Sequence, residues 1–358
     1  MSVADNGFAN APSFKSWNSQ DMIKNYGILI VIITTCLFVT TVRSQTWSNA
    51  NIITDGDIHE LAVNGSGVVV GAVWVFPGEA RIVRSSNDGT TWQQPVDEIN
   101  RGFTGAVFTN ATTAFVSGGT NALGLVYKST NSGASWDVVY EGPSGAPSLW
   151  CITQSPDGSI FAAGGKGVIL KSTDNGASWL SPGSTGITTE IVDIHFVTPD
   201  TGFIMSSIQL MDWQYGGALY RTIDGGKTWT FIQPFTAAQS ISMRDSRNGV
   251  IVGRSVKASV WRTTDGGTTW NQTYSYDKVG YQFEDVARDP NNPYALVAVG
   301  QSLNQGFTTG IAIRSTDDGA TWTLDSDQIA GGLRTVVMPS STKTIAAGWG
   351  GVVVTKNH

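Results

Sequence analysis

The chain has 358 residues and a formal net charge of −6. Only 14% of its residues are charged, against about 25% in an average domain, while 42 are Gly and 13 are Trp. That balance excludes a basic face for nucleic acid and argues against long helices. The two cysteines, Cys36 and Cys151, cannot build a disulfide framework. Cys151, between Trp150 and Ile152, reads as a small buried hydrophobe on a strand.

Residues 1–44 read as a targeting segment. An uncharged run from Gly27 to Val42 follows Lys24 and precedes Arg43, the pattern of a secretory signal. The run is shorter than the roughly 20 residues of a straight spanning helix, although a tilted or thinned bilayer accepts it. Two starts stay open, Met1 and Met22, and two fates, cleavage near Ser44 or retention as an anchor. Either places the protein outside the cell or at its envelope or surface, and the membrane is met only through this segment if it is uncleaved.

From residue 45 to 358 the sequence repeats. Six segments share one pattern: Arg84-SSNDGTT-Trp92, Lys128-STNSGAS-Trp136, Lys171-STDNGAS-Trp179, Arg221-TIDGGKT-Trp229, Arg262-TTDGGTT-Trp270 and Arg314-STDDGAT-Trp322. Their glycines lie 44, 43, 50, 41 and 52 residues apart, room for one four-stranded blade per repeat. Within each box Asn87, Asn131, Asp174, Asp224, Asp265 or Asp317 can accept N–H bonds from its own turn, the glycine supplies a positive φ, and Trp92, Trp136, Trp179, Trp229, Trp270 or Trp322 buries a large surface between sheets. A first strand opens each unit, as in Glu190–Val197 and Gln282–Arg288.

On these boxes the chain resembles the BNR or Asp-box repeat family, a motif shared by sialidases, sortilin-type receptors, some endoglucanases and the photosystem II assembly factors. The resemblance covers nearly everything after residue 45 and implies an all-β, seven-bladed propeller. In that family the box is a structural hairpin remote from the ligand face, so it says little about function. The seventh blade is split. Leu333–Lys356 supplies three strands and stops where a box should begin, while Thr46-Trp47 repeats the pair that closes every box. The first strand of the mature chain is therefore expected to complete the last blade, lying antiparallel to residues 351–355. The same split permits a strand-swapped homo-oligomer.

Box hairpins share one face with the turns between first and second strands. The opposite face collects the loops between second and third strands, long at Ala72–Ala80, Ser207–Gly217 and Gln301–Gly310. Those loops, with the short turn of blade seven, carry Trp74, Phe76, Trp213, Tyr215, Phe307 and Trp349, an aromatic face suited to a glycan or a protein partner. First strands place Asp57, His59, Glu60, Glu190, Asp193, His195, Glu284, Asp285 and Arg334 near the central channel. His59, His195 and His358 have no metal-ligand spacing, and no cofactor is called for. Sequons at Asn64, Asn110 and Asn271 are candidate glycosylation sites.

Function reads as binding or scaffolding. A sialidase-like hydrolase resembles a tyrosine nucleophile with three arginines, and the Phe/Tyr-Arg-Ile-Pro segment of that family is missing here; endoglucanases of this repeat resemble paired propellers. No catalytic residue is therefore named. A glycoside hydrolase and a photosystem-assembly-like chaperone are kept as alternatives, the second weakened by the acidic charge.

Overall fold

The structure, a computed structural model, describes residues 46–358 apart from 49–50, 77, 100, 121–122, 184, 210–214, 236 and 305–308. The segment 1–44, with its expected signal or anchor, lies outside the described residues.

Residues 46–358 form seven antiparallel sheets that follow one another in chain order. Blade one spans 57–99, two 102–141, three 149–172, four 190–235, five 238–275, six 281–330 and seven 333–357. First strands of consecutive blades touch. That of blade seven, Leu333–Ser340, also touches that of blade one, Asp57–Val63, so the ring closes with first strands on its axis.

The boxes hold the blades together. In each, a Ser or Thr hydroxyl accepts the N–H of the box glycine at 2.8 to 3.0 Å. The Asp or Asn Oδ1 accepts the N–H of the residue four positions on, at 2.9 Å in every box. Asn keeps this contact but reverses the second one. Asn87 Nδ2 donates to Thr91, whereas Thr228 donates its hydroxyl proton to Asp224. These hydrogen bonds, led by those from Ser178, Thr228 and Thr269, lower the Asp174, Asp224 and Asp265 carboxyls to about 2.

The box glycines have φ between 76° and 85°, and each backs onto the blade before it. A Cβ on Gly176 would lie 2.5 Å from Phe115 of blade two, and one on Gly319 2.4 Å from Val250 of blade five. The tryptophans fill the same seams. Trp270, 8% exposed, packs among Phe203 and Leu219 of blade four and Ile241 and Ile251 of blade five, and its Nε1 donates to Gly267 at 3.1 Å. The leading basic residue reaches the other way. Arg84 donates to the carbonyl of Ser132, Lys128 to that of Asn175 and Arg262 to that of Asp318, each in the next box. Asp318, almost fully buried, also ion-pairs with Arg244, Arg262 and Arg288.

Blade seven has no box, and the N-terminal strand stands in for one. Asn51 and Ile52 pair antiparallel with Val353 and Val352, while Ser48 donates its N–H to Thr355 and Ile53 to Gly351. Trp47 takes the place of a box tryptophan, packed against Ile329 of blade six and Val354 of blade seven. Its Nε1 donates to Asp325, which also binds Arg314 and Lys356.

Blade three departs from the expected four strands. Its place for a fourth strand holds one bridge, Lys171 with Leu180. Pro182, without an N–H, and Gly183, at φ 150°, then take the chain off the edge.

Trp270→Ala should destabilise the fold by ~3–5 kcal/mol in chemical denaturation, as large-to-small core changes do. Removing residues 46–52 should lower the melting temperature and, by baring the edge of Val352–Asn357, raise the sedimenting mass. An unchanged melting temperature would contradict the closure.

Candidate functional site

Each first strand carries a bulge at the same place. The strands read Ile58-His59-Glu60-Leu61, Phe103-Thr104-Gly105-Ala106, Leu149-Trp150-Cys151-Ile152, Ile191-Val192-Asp193-Ile194, Ala238-Gln239-Ser240-Ile241, Phe283-Glu284-Asp285-Val286 and Leu333-Arg334-Thr335-Val336. In all seven the pairing register slips over the second of these residues. Two residues then oppose one, and both middle positions turn towards the axis.

The bulged residues His59, Thr104, Trp150, Val192, Gln239, Glu284 and Arg334 are all half-buried and form one ring. The next ring locks the blades. Asp193 accepts the N–H of Ile241 and Asp285 that of Val336, each at 2.8 Å, and Thr335 accepts that of Leu61 at 3.0 Å. Ser240 donates its hydroxyl proton to Asp285, and Cys151 lies with its Sγ towards the carbonyls of Ala163 and Ile191.

Burial raises the carboxyls of this second ring. Asp193 is pushed up to about 7, by burial first and then by Asp285, against the pull of the Ile241 N–H. Burial, then Asp285 and Asp193, holds Glu60 well above the usual range. Burial also raises the Cys151 thiol, so it is a poor nucleophile. Asp193 and Asp285 are committed to the ring by their main-chain bonds.

The first ring opens on the loop face. There the His59 ring lies 5.8 Å from that of Trp74, and the Arg334 guanidinium lies 4.8 Å from the Trp349 ring. Glu284 accepts the side-chain amides of Gln282 and Gln301. Burial, then the charge of Arg334, holds His59 well below the usual range and therefore neutral near pH 7. Burial raises Glu284, while Arg334 and the two glutamines pull it back. Asp57 ties the mouth together across the ring seam by accepting the N–H of Gly350 at 2.8 Å. Blades six, seven and one thus present a carboxyl, a guanidinium, an imidazole and two indoles on a rigid rim.

Trp74 is 43% exposed and Phe76 89%, both on the rim of blade one. Trp349 is half-buried beside Arg334. Trp213 and Phe307 lie outside the described residues, and Tyr215 opens the third strand of blade four opposite Gln209. Of the polar residues expected at the channel, Glu190 instead sits exposed at a strand start. His195 lies past the bulge, its imidazole lowered to about 4 by burial and then by Arg288. His358 is bonded to Thr344. Among the described residues no group of His, Cys, Asp and Glu is placed to hold a metal ion.

Asn64, one of the three candidate glycosylation sites, is buried. Its amide donates to the carbonyl of Ala111 and accepts the N–H of Ser66 and Val68. Asn110 and Asn271 are exposed.

The sequence reading missed Thr104, Trp150, Val192 and Gln239 as ring members. Their signal was present: two middle residues between apolar ones, where strict alternation calls for one.

The model of the family described as Photosynthesis system II assembly factor YCF48 matches residues 143–214. A xyloglucanase from Paenibacillus sp. is 24% identical over 275 residues, which are 70% of this chain and 24% of the relative. Among solved structures, YCF48 bound to a D1 peptide superposes with a TM-score of 0.65 at 16% identity, covering 87% of this chain and 97% of that one. YCF48 from Cyanidioschyzon merolae gives 0.66 at 15%, covering 87% and 99%. The GH74 xyloglucanase from Xanthomonas campestris gives 0.66 at 14%, covering 87% and 54%. The chain therefore spans about a quarter of the first enzyme and about half of the second. The chain is a seven-bladed β-propeller with BNR-type boxes, similar in fold to the YCF48 and GH74 xyloglucanase structures.

Asp193→Asn tests the second ring. A carboxyl with a raised folded-state pKa contributes stability that is full below its unfolded value near 4 and is lost as pH rises through about 7. Asn cannot titrate and still offers a carbonyl to Ile241. The melting temperature of the variant relative to wild type should therefore climb from pH 5 to pH 8; a difference flat in pH would count against the assignment.

Proposed function

We propose that this BNR-type propeller is a non-catalytic binding module that works outside the cell or at its envelope and holds an extended segment of a partner protein at its channel mouth. The observation that carries this is the rim of Trp74, His59, Arg334, Trp349 and Glu284, drawn from three blades and fixed by bulges and inter-blade N–H bonds. Half-desolvated aromatic and arginine side chains on a rigid rim are what binding hot spots are made of. A relative of this fold has been seen bound to a peptide, which supports a protein partner.

The axial carboxyls argue for binding over hydrolysis. Acid–base cleavage of a glycoside needs two carboxyls free to face the bond. Asp193 and Asp285 accept main-chain N–H bonds from the next blade, and Glu284 accepts two amides. The apolar run before residue 44 supports the location.

A glycan is the second reading, favoured by the exposed Trp74 and Phe76 and by the sequence likeness to a xyloglucanase. A peptide array and xyloglucan oligosaccharides, applied to the same protein, separate the two. Ligands selected from the array should lose at least tenfold in affinity, about 1.4 kcal/mol, on Trp74→Ala or Arg334→Ala, with the fold intact by circular dichroism. Selective binding of the oligosaccharides would favour the glycan, and retained affinity in both variants would remove the mouth from consideration.

A further inference from the structure

Blades three and seven share one turn. Gly164-Gly165-Lys166-Gly167 joins second to third strand in blade three, and Gly348-Trp349-Gly350-Gly351 does so in blade seven. The third residue is left-handed in both, Lys166 at φ 55° and Gly350 at φ 61°. Past the turn the two edges match. A Cβ on Gly167 would collide with the carbonyl oxygen of Ile187, and one on Gly351 with that of Thr54. Lys171 exchanges main-chain hydrogen bonds with Leu180, and Thr355 accepts the N–H of Ser48.

Between those anchor points the blades differ. In blade seven, Asn51 and Ile52 lie along Val353 and Val352. The matching residues of blade three, Ile169 and Val168, border a groove of about 260 Å³ whose walls include Lys166, Ser181, Gly183, Thr185 and Ile187. Alternation along the strand sends the N–H and C=O of Ile169 outward, as it does those of Lys171, and among the described residues neither meets a partner. The cause is local. The connection from Leu180 to Ile187 is one residue longer than that from Ser48 to Thr54, and it contains Pro182. A Cβ on Gly183 would lie 3.2 Å from the carbonyl oxygen of Lys227 in the next box.

Lys166 is exposed, and it holds a left-handed conformation that its twin position gives to glycine. It is the charged residue on the groove wall.

We propose that this notch docks one extended segment of a partner protein, which supplies the rung that Asn51 and Ile52 supply in blade seven and sets a carboxylate side chain against Lys166. Main-chain hydrogen bonds at a bared edge give affinity in such strand addition, and the flanking charge gives selectivity. Blade seven shows the same turn and edge holding a strand. The site lies on the rim of blade three and does not depend on the channel mouth.

The probe is the peptide acetyl-Val-Asn-Val-Glu-amide, titrated into the 15N-labelled protein at concentrations up to the millimolar range. Amide signals of Ile169 and Gly167 should shift. N-methylation of the peptide's central residues, or Glu replaced by Lys, should weaken binding at least tenfold. Lys166→Gly should weaken it similarly while leaving the melting temperature unchanged or higher, since glycine suits the turn; Trp74→Ala should leave it unaltered. Shifts absent or confined to the mouth, or equal affinity for the N-methylated peptide, would overturn the proposal. The same shifts produced by self-association without peptide would assign the notch to a second copy of the chain instead.

Discussion

The structure depends on one constraint: a box glycine must sit at positive φ against the blade before it, with no room for a Cβ. The Ser or Thr hydroxyl and the Asp or Asn carbonyl hold that turn by accepting main-chain N–H groups. Because the glycine meets the preceding blade, and Arg84, Lys128, Lys171 and Arg262 reach the following box, the boxes they lead each touch three blades. The ring angle is thereby set by short-range contacts repeated along the chain. Asp318, gathering three arginines, does the same at the seam of blades five and six. Burying one carboxylate is tolerable there because its partners come with it; removing it would strand their charge.

On the axis a second device operates. A bulge at one position of every first strand turns two residues inward where alternation would turn one. The second of the two rings carries the inter-blade hydrogen bonds, which frees the first ring to vary. Hence Thr104, Val192 and Gln239 can differ while the mouth formed by Glu284, Arg334 and His59 keeps its geometry. Of the two aromatic partners, Trp74 is held within the second strand of blade one and Trp349 just past the strand end in blade seven, neither on a long loop. That rigidity favours binding, since little side-chain entropy remains to be lost.

Much of this was legible in the sequence. The boxes are local, so their spacing gave the blades, and Trp47 gave the closure because it repeats a box ending. The long loop expected at Ala72–Ala80 is instead mostly paired strand, with Trp74 opposite Ala80 and Val75 opposite Glu79. What stayed hidden was non-local. That Asn64 is buried depends on Ala111 of the next blade, and that blade three shows no fourth strand among the described residues goes with one extra residue and Pro182 after an otherwise complete box. Glu190 and His195 sit near a bulge whose position shifts the facing of everything beyond it. The role of Arg84 or Lys128 could not be read from one box, because its acceptor lies in the next.

Native-state hydrogen exchange tests most directly whether the axial rings form a rigid scaffold behind the mouth. The account predicts that the amides of Leu61, Ile241 and Val336, bonded across blade seams to Thr335, Asp193 and Asp285, exchange only through global unfolding, at the rate of the slowest core amides. Fast exchange at these three amides in a protein whose second-strand amides remain protected would contradict it, since the rim of Trp74, His59 and Arg334 would then have no fixed support.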